Sequence, residues 1–228
     1  VERSLEIGKL LLQHADLLEV GLPYSDPLGD GPTIQKANEK ALAGGMTVRG
    51  TFEVARALRQ GTDKPLVVMT YYNPILATGE ERFVELCLEN GVDGLILPDL
   101  PPDEADTLIP LAQKAGLGLT FLLAPTSTPE RIRVVANATT GFIYAVSVTG
   151  VTGARSGLPV EVPAMLERIK AVTDTPVAVG FGVSNRETAN YVARVADGVV
   201  AASVFINADA NGQPIEPLAR EILLGCKR

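Results

Sequence analysis

Short β-branched runs alternate with amphipathic stretches and recur about every 22 to 34 residues through most of the chain, as expected of parallel strands joined by crossover helices. No linker or low-complexity segment divides the 228 residues. With 46% hydrophobic and 21% charged residues, a chain of this length buries one full core. Together these observations predict an α/β fold of the (β/α)-barrel class, built as a single domain over residues 1–228.

The elements follow in order. A helix over Arg3–His14 leads to the strand DLLEV, and helices over Thr33–Ala43 and Thr51–Arg59 lead to PLVVMTY, Pro65–Tyr71. Glu80–Glu89 reads as a helix opened by Thr78 and Glu81 as a capping box, and DGLILP, Asp93–Pro98, follows as a strand. The next helix, Asp103–Lys114, carries Pro110, which predicts a kink. GLTFLL, around Leu117–Leu122, is the fourth strand. Thr128 before Pro129 is an N-cap with proline at the first helical position, opening Pro129–Ala136. GFIYAVS, Gly141–Ser147, and PVAVGF, Pro176–Phe181, are strands flanking a helix over Pro163–Val172. Ser184 with Glu187 reads as a second capping box before a helix over Asn185–Arg194, and DGVVAA, Asp197–Ala202, is the seventh and last strand.

Charge and composition exclude several classes of function. A net charge of -7, with no cluster of Lys and Arg interleaved with aromatics, argues against a nucleic-acid surface. The apolar runs are short and interrupted, so neither a membrane span nor a signal-peptide core is expected, and the cytoplasm is the default location. Cys87 and Cys226 lie far apart, and His14 is the only imidazole. That residue set supports neither a metal site nor a Cys/His nucleophile pair.

The run EVGLPYSDPLGDGP, Glu19 to Pro32, carries the strongest functional signal. Glu19 falls at the end of an apolar strand, where an ionised carboxylate costs several kcal/mol unless it is paired, hydrogen-bonded or used. Asp30 follows on a loop stiffened by Pro23, Pro27 and Pro32 and bent at Gly21, Gly29 and Gly31. The pair suggests acid/base chemistry. The structural alternatives are a carboxylate capping backbone N–H groups for Glu19 and an Asp-Gly turn for Asp30.

LEVGLPYSDPLGDGPTIQKAN, MTYYNP, LILPDLPPDEA, YAVSVTGVTGARSGLP and VAVGFGVS occur in this order and span most of the chain. On these segments the sequence resembles the α subunits of tryptophan synthase. The resemblance implies a (β/α)8 TIM-barrel lyase that cleaves indole-3-glycerol phosphate to indole and glyceraldehyde 3-phosphate in tryptophan biosynthesis, with no metal or organic cofactor. It also implies a pyridoxal-phosphate-bearing β subunit as partner in an α2β2 heterotetramer. Glu19 matches the family's catalytic glutamate, suited to give a proton to the indole ring carbon and then take one from the neighbouring hydroxyl. Asp30 matches the second acid, placed to accept a hydrogen bond from the indole N–H.

The same resemblance assigns the remaining substrate contacts. Tyr71, Ile96, Tyr144 and Phe181 would line the indole site, with Met69 and Pro98 nearby, although ordinary interior packing would also put such residues at a barrel mouth. Gly153, Gly182, Ala202 and Ser203 would hold the phosphate through backbone N–H groups in the loops after the last strands. The family commonly has Gly-Ser where this chain has Ala202-Ser203, so the Ala202 Cβ would crowd the phosphate or forbid a positive φ. Thr152 lies in the loop TGVTGARSG, which is long enough to close over a site and bring Thr152 to Asp30. Asp26 and Asp99, on proline-rich loops, would form a rim for the partner subunit.

Members of the family begin with a short helix and a strand before the segment matching Arg3–His14. The expectation is therefore a barrel with its first strand missing from this chain, N-terminally truncated, and with unpaired edges at DLLEV and DGVVAA. Two other functions stay open on the residues alone. One is a non-catalytic α-like subunit that binds and activates a β subunit. The other is a different phosphosugar-binding barrel enzyme.

Overall fold

The structure, a computed structural model, describes residues 1–146, 161–180 and 182–227. They group into two compact units, Val1–Thr120 and Phe121–Arg228. The first contains α1 (Glu2–Leu11), β1 (Leu18–Gly21), α2 (Pro32–Ala43), α3 (Val48–Arg59), β2 (Leu66–Met69), α4 (Tyr72–Thr78), α5 (Glu80–Glu89), β3 (Gly94–Ile96), a 3-10 turn at Pro102–Glu104, α6 (Leu108–Ala115) and β4 (Gly118–Thr120). Its strands form one parallel sheet in the order β1-β2-β3-β4. The register sets Glu19 beside Val67 and Met69 beside Ile96. Leu18 and Leu66 at the strand starts pack with Leu12, Val54 and Leu58, the apolar faces of α1 and α3.

The second unit contains β5 (Leu122–Leu123), α7 (Pro129–Ala138), β6 (Ile143–Val146), α8 (Glu161–Lys170), β7 (Val177–Gly180), α9 (Arg186–Val195), β8 (Gly198–Val199), α10 (Ser203–Ala210) and α11 (Ile215–Cys226). Its sheet is also parallel, in the order β5-β6-β7-β8. Ile143, Ala145, Val177 and Val179 are buried, while the alternate positions Tyr144, Val146, Ala178 and Gly180 are only partly so. Among the described residues β1 pairs with β2 alone, and β8 with β7 alone.

Both units tie the start of a strand with the same chemistry. In the first, the Asp93 carboxylate accepts the Leu66 N–H at 2.7 Å and pairs with Arg59, while the Asp93 N–H donates to the Leu66 carbonyl at 2.8 Å. In the second, Asp197 accepts the Val177 N–H at 2.8 Å, pairs with Lys170, and donates its own N–H to the Val177 carbonyl at 3.0 Å. The preceding turns match as well. Lys64 N–H donates to the Thr62 hydroxyl at 3.0 Å and Thr175 N–H to the Thr173 hydroxyl at 3.1 Å, within the related runs TDKPLVV and TDTPVAV.

Several local expectations are corrected. Thr78 closes α4 instead of capping α5, because its hydroxyl donates to the Pro74 carbonyl at 2.8 Å and Gly79, with φ of 90°, occupies the N-cap. The capping box of α9 is Asn185 with Thr188, one residue beyond Ser184 and Glu187. Asp103–Lys114 is not a continuous helix kinked at Pro110. It divides into the 3-10 turn and α6, which puts Pro110 in the first turn, where a missing N–H costs little. GLTFLL is interrupted at Phe121 into β4 and β5, and the last strand is confined to Gly198–Val199. Thr128 does cap α7, accepting the Arg131 N–H at 3.3 Å with Pro129 following.

Candidate active site

Glu19 is the second of the four residues of β1, and the loop that carries Asp30 leaves the C-terminal end of that strand, the end at which parallel α/β folds carry their chemistry. It is partly buried. Its carboxyl pKa is pushed up from 4.5 to about 7, first by burial and then by the negative charge of Asp30. An acid poised there can give a proton and take one back near neutral pH.

Asp30 ends the loop that follows β1. A turn in which its N–H donates to the Pro27 carbonyl at 3.0 Å sets the loop, and Gly31 and Pro32 then open α2 as N-cap and first residue. The Gln35 side chain donates to the Asp30 carbonyl at 2.8 Å, and the Asn38 side chain to its carboxylate at 3.1 Å, both from α2. The Tyr71 phenol favours the charged form of the carboxylate. Burial raises the Asp30 pKa, while Asn38 and Tyr71 pull it down.

Tyr71 is 5% exposed and stands between β2 and α4. Its hydroxyl accepts the Gly29 N–H at 2.9 Å, and its ring lies 5.5 Å from that of Tyr24, centroid to centroid. Burial and the charge of Asp30 push its pKa up to about 12, so it remains a neutral phenol. Ile96 is fully buried at the end of β3, and Met69 beside it is partly buried. The structure therefore brings Glu19, Asp30 and Tyr71 together, with Ile96 at the end of the same sheet.

Sequence reasoning missed Asn38 and Gln35. They lie seven and four residues along α2 from Gly31, so their reach toward Asp30 follows from helical spacing once the helix start is known. It also read Asp99 only as a rim charge. Both Asp99 oxygens accept the Tyr72 N–H, at 2.9 and 3.1 Å, so this carboxylate caps α4 immediately after Tyr71.

In the second unit, Tyr144 lies on β6 opposite Ala178, and a Cβ on Gly180 would overlap its hydroxyl. Only glycine leaves room there. Gly182 has φ of 48°, a conformation natural to glycine. Ala202 precedes α10 with φ of -126°, so its backbone needs no left-handed conformation, and Ser203 is the first residue of that helix. The Ser203 side chain does not serve as the N-cap, a position held by Ala202 with no side-chain bond. Thr152, Gly153 and Phe181 lie outside the described residues.

Parallel strands followed by helices, with a carboxyl of raised pKa in the first strand and a second acid on the loop after it, fit an α/β-barrel enzyme. A family model for the tryptophan synthase alpha chain matches residues 1–222. The tryptophan synthase alpha chain of Deinococcus radiodurans is 58% identical over 224 residues, covering 98% of this chain and 83% of that protein. That of Bacillus cereus is 46% identical over 192 residues, covering 84% and 74%. A solved structure of Mycobacterium tuberculosis tryptophan synthase superposes with a TM-score of 0.93 at 42% identity, covering 98% of this chain and 86% of that one. The chain belongs to the tryptophan synthase alpha chain family, and its fold class is the (β/α)8 barrel.

Proposed function

We propose that this chain is the lyase that cleaves indole-3-glycerol phosphate to indole and glyceraldehyde 3-phosphate, with Glu19 and Asp30 as its catalytic residues. The observation that carries the residue assignment is the Glu19 carboxyl, raised to about 7 beside a second acid that is held by two hydrogen bonds from α2. Protonated Glu19 gives its proton to the ring carbon bearing the glycerol phosphate, and positive charge develops on the ring nitrogen. The Asp30 carboxylate accepts the ring N–H and stabilises that charge. Glu19, now a carboxylate, removes the proton of the adjacent hydroxyl. The oxygen electrons form the aldehyde carbonyl, the carbon–carbon bond breaks, and its electron pair restores the indole. One proton enters and one leaves, so the acid is regenerated.

In this reading the family resemblance assigns indole contacts to Tyr71, Ile96, Tyr144 and Phe181 and phosphate contacts to Gly153, Gly182, Ala202 and Ser203, with Thr152 as a further substrate-binding residue. For the phosphate, support comes from the first turn of α10, whose leading N–H groups have no acceptor within the helix. A tryptophan synthase β subunit, in an α2β2 assembly, is the proposed partner. No helix among the described residues is long and apolar enough to cross a membrane, and a cytoplasmic location belongs to the same proposal.

The test is indole release from indole-3-glycerol phosphate by the purified chain, alone and with a β subunit. Indole formation that rises with the β subunit is the expected result. No indole in either condition contradicts the lyase assignment, and a rate indifferent to the β subunit contradicts the partnership.

A further inference from the structure

Building on the lyase reading, we propose that Tyr71 is a positioning residue for Asp30, its hydroxyl holding the Gly29 N–H one residue before the acid and so fixing the acid loop. Three contacts converge on this point. The Tyr71 hydroxyl accepts the Gly29 N–H at 2.9 Å. The Tyr24 ring, from the same loop, lies 5.5 Å from the Tyr71 ring. Asn73, two residues beyond Tyr71, donates to the Tyr24 hydroxyl at 3.1 Å. The loop from Tyr24 to Asp30 is thus tied at both ends to one short segment after β2.

That segment is itself held from β3's side. The Asp99 carboxylate caps the Tyr72 N–H, fixing the backbone that carries the phenol. Gly29 is closely fitted, since a Cβ there would come within 3.2 Å of the Tyr71 oxygen. A phenol whose oxygen accepts the Gly29 N–H keeps its own proton directed away from that amide, and it favours the charged form of the neighbouring Asp30, which must stay ionised to receive an indole N–H. The ring of Tyr71 can still border the indole, but its hydroxyl is committed to the loop.

The groups that face Asp30 are Glu19 from β1, Asn38 from α2 and Tyr71, which also feels the charge of Asp99. Tyr71 and Asn38 favour the carboxylate, and burial favours the acid. Removing the Tyr71 hydroxyl therefore raises the Asp30 pKa, and the acid limb of the kcat profile moves to higher pH.

Tyr71→Phe keeps the ring and deletes the oxygen. The expected result is a fall in kcat of roughly 10- to 100-fold, the scale of a misplaced catalytic group, with KM changed far less and the acid limb displaced upward. In an Asp30→Asn background the same change should cost little, because the two groups act as a unit. Replacing Tyr71 with 3-fluorotyrosine, a stronger donor of nearly the same shape, should move the acid limb downward even if Tyr71→Phe does not fold. Wild-type chain that releases no indole would overturn the lyase reading. Active wild type whose acid limb is indifferent to both changes, or whose Tyr71→Phe and Asp30→Asn losses simply add, would overturn the positioning role alone.

Discussion

Two kinds of strand carboxylate are held in opposite ways. At the starts of β2 and β7, Asp93 and Asp197 each accept a backbone N–H and pair with a cation, Arg59 or Lys170. Within β1, the described surroundings of Glu19 supply only desolvation and the like charge of Asp30. A carboxylate given a cation and an amide is satisfied. One left to burial and a like charge is pushed up to about 7. The difference teaches that a carboxylate's surroundings, more than its residue type, separate an acid that supports the fold from one suited to proton transfer.

The largest way to break this comparison is Glu19→Gln. It should lower the rate of indole release by at least about 100-fold, the usual scale for losing a positioned acid/base group, while the protein stays folded by circular dichroism. Near-wild-type turnover would remove Glu19 from the mechanism. Asp93→Ala should do the reverse. Leu66, which is fully buried, loses the acceptor for its N–H, so stability should fall by about 1–3 kcal/mol. Each folded molecule should remain active. Denaturant unfolding with a parallel assay separates the two effects, and an inactive but fully stable Asp93→Ala chain would contradict the division of labour.

Asp197→Ala should cost less than Asp93→Ala. Arg59 links Asp93 to the carbonyls of Gly91, Thr62 and Lys64, whereas Lys170 is a single flexible cation with a side chain 38% exposed. A larger loss at Asp197 would reverse that ranking. The smallest effect is on the pH dependence of stability. Because the folded pKa of Glu19 lies above its ordinary 4.5, the folded chain holds a proton that the unfolded chain has released between about 4.5 and 7. The Glu19 contribution to stability is therefore present below pH 4.5, declines through that window, and is absent above it. Glu19→Gln should lack this decline, as comparison of unfolding curves at pH 4.5 and 8 would reveal.

Much of this was legible in the sequence. Glu80–Glu89 matched its helix from end to end, and Thr128-Pro129 marked α7, because strong local chemistry coincided with strong periodicity. α4 and α11 were not foreseen. α4 is only seven residues long and opens on tyrosines and a proline, and its N-terminus depends on Asp99, distant in sequence. Glu19 stood out as a carboxylate in an apolar strand and Asp30 as an acid on a proline-rich loop, so the pair could be singled out. Their supports could not. Asn38 becomes readable only once the start of α2 is known, and Tyr71 comes to Asp30 across 41 residues of chain, through a tertiary approach that no local pattern encodes. The pairing of Asp93 with Arg59 escaped notice for the same reason, although the repeated TDxP turns lay in plain view.

The most direct measurement is the titration of Glu19 itself, followed by its carboxyl carbon in chain labelled with 13C-glutamate and assigned by comparison with Glu19→Gln. A midpoint near pH 7 that falls when Asp30 is replaced by Asn is the expected result, since desolvation and the Asp30 charge both raise it. A midpoint near the ordinary 4.5, unmoved by Asp30→Asn, would contradict the claim that β1 holds an acid prepared to give and take a proton.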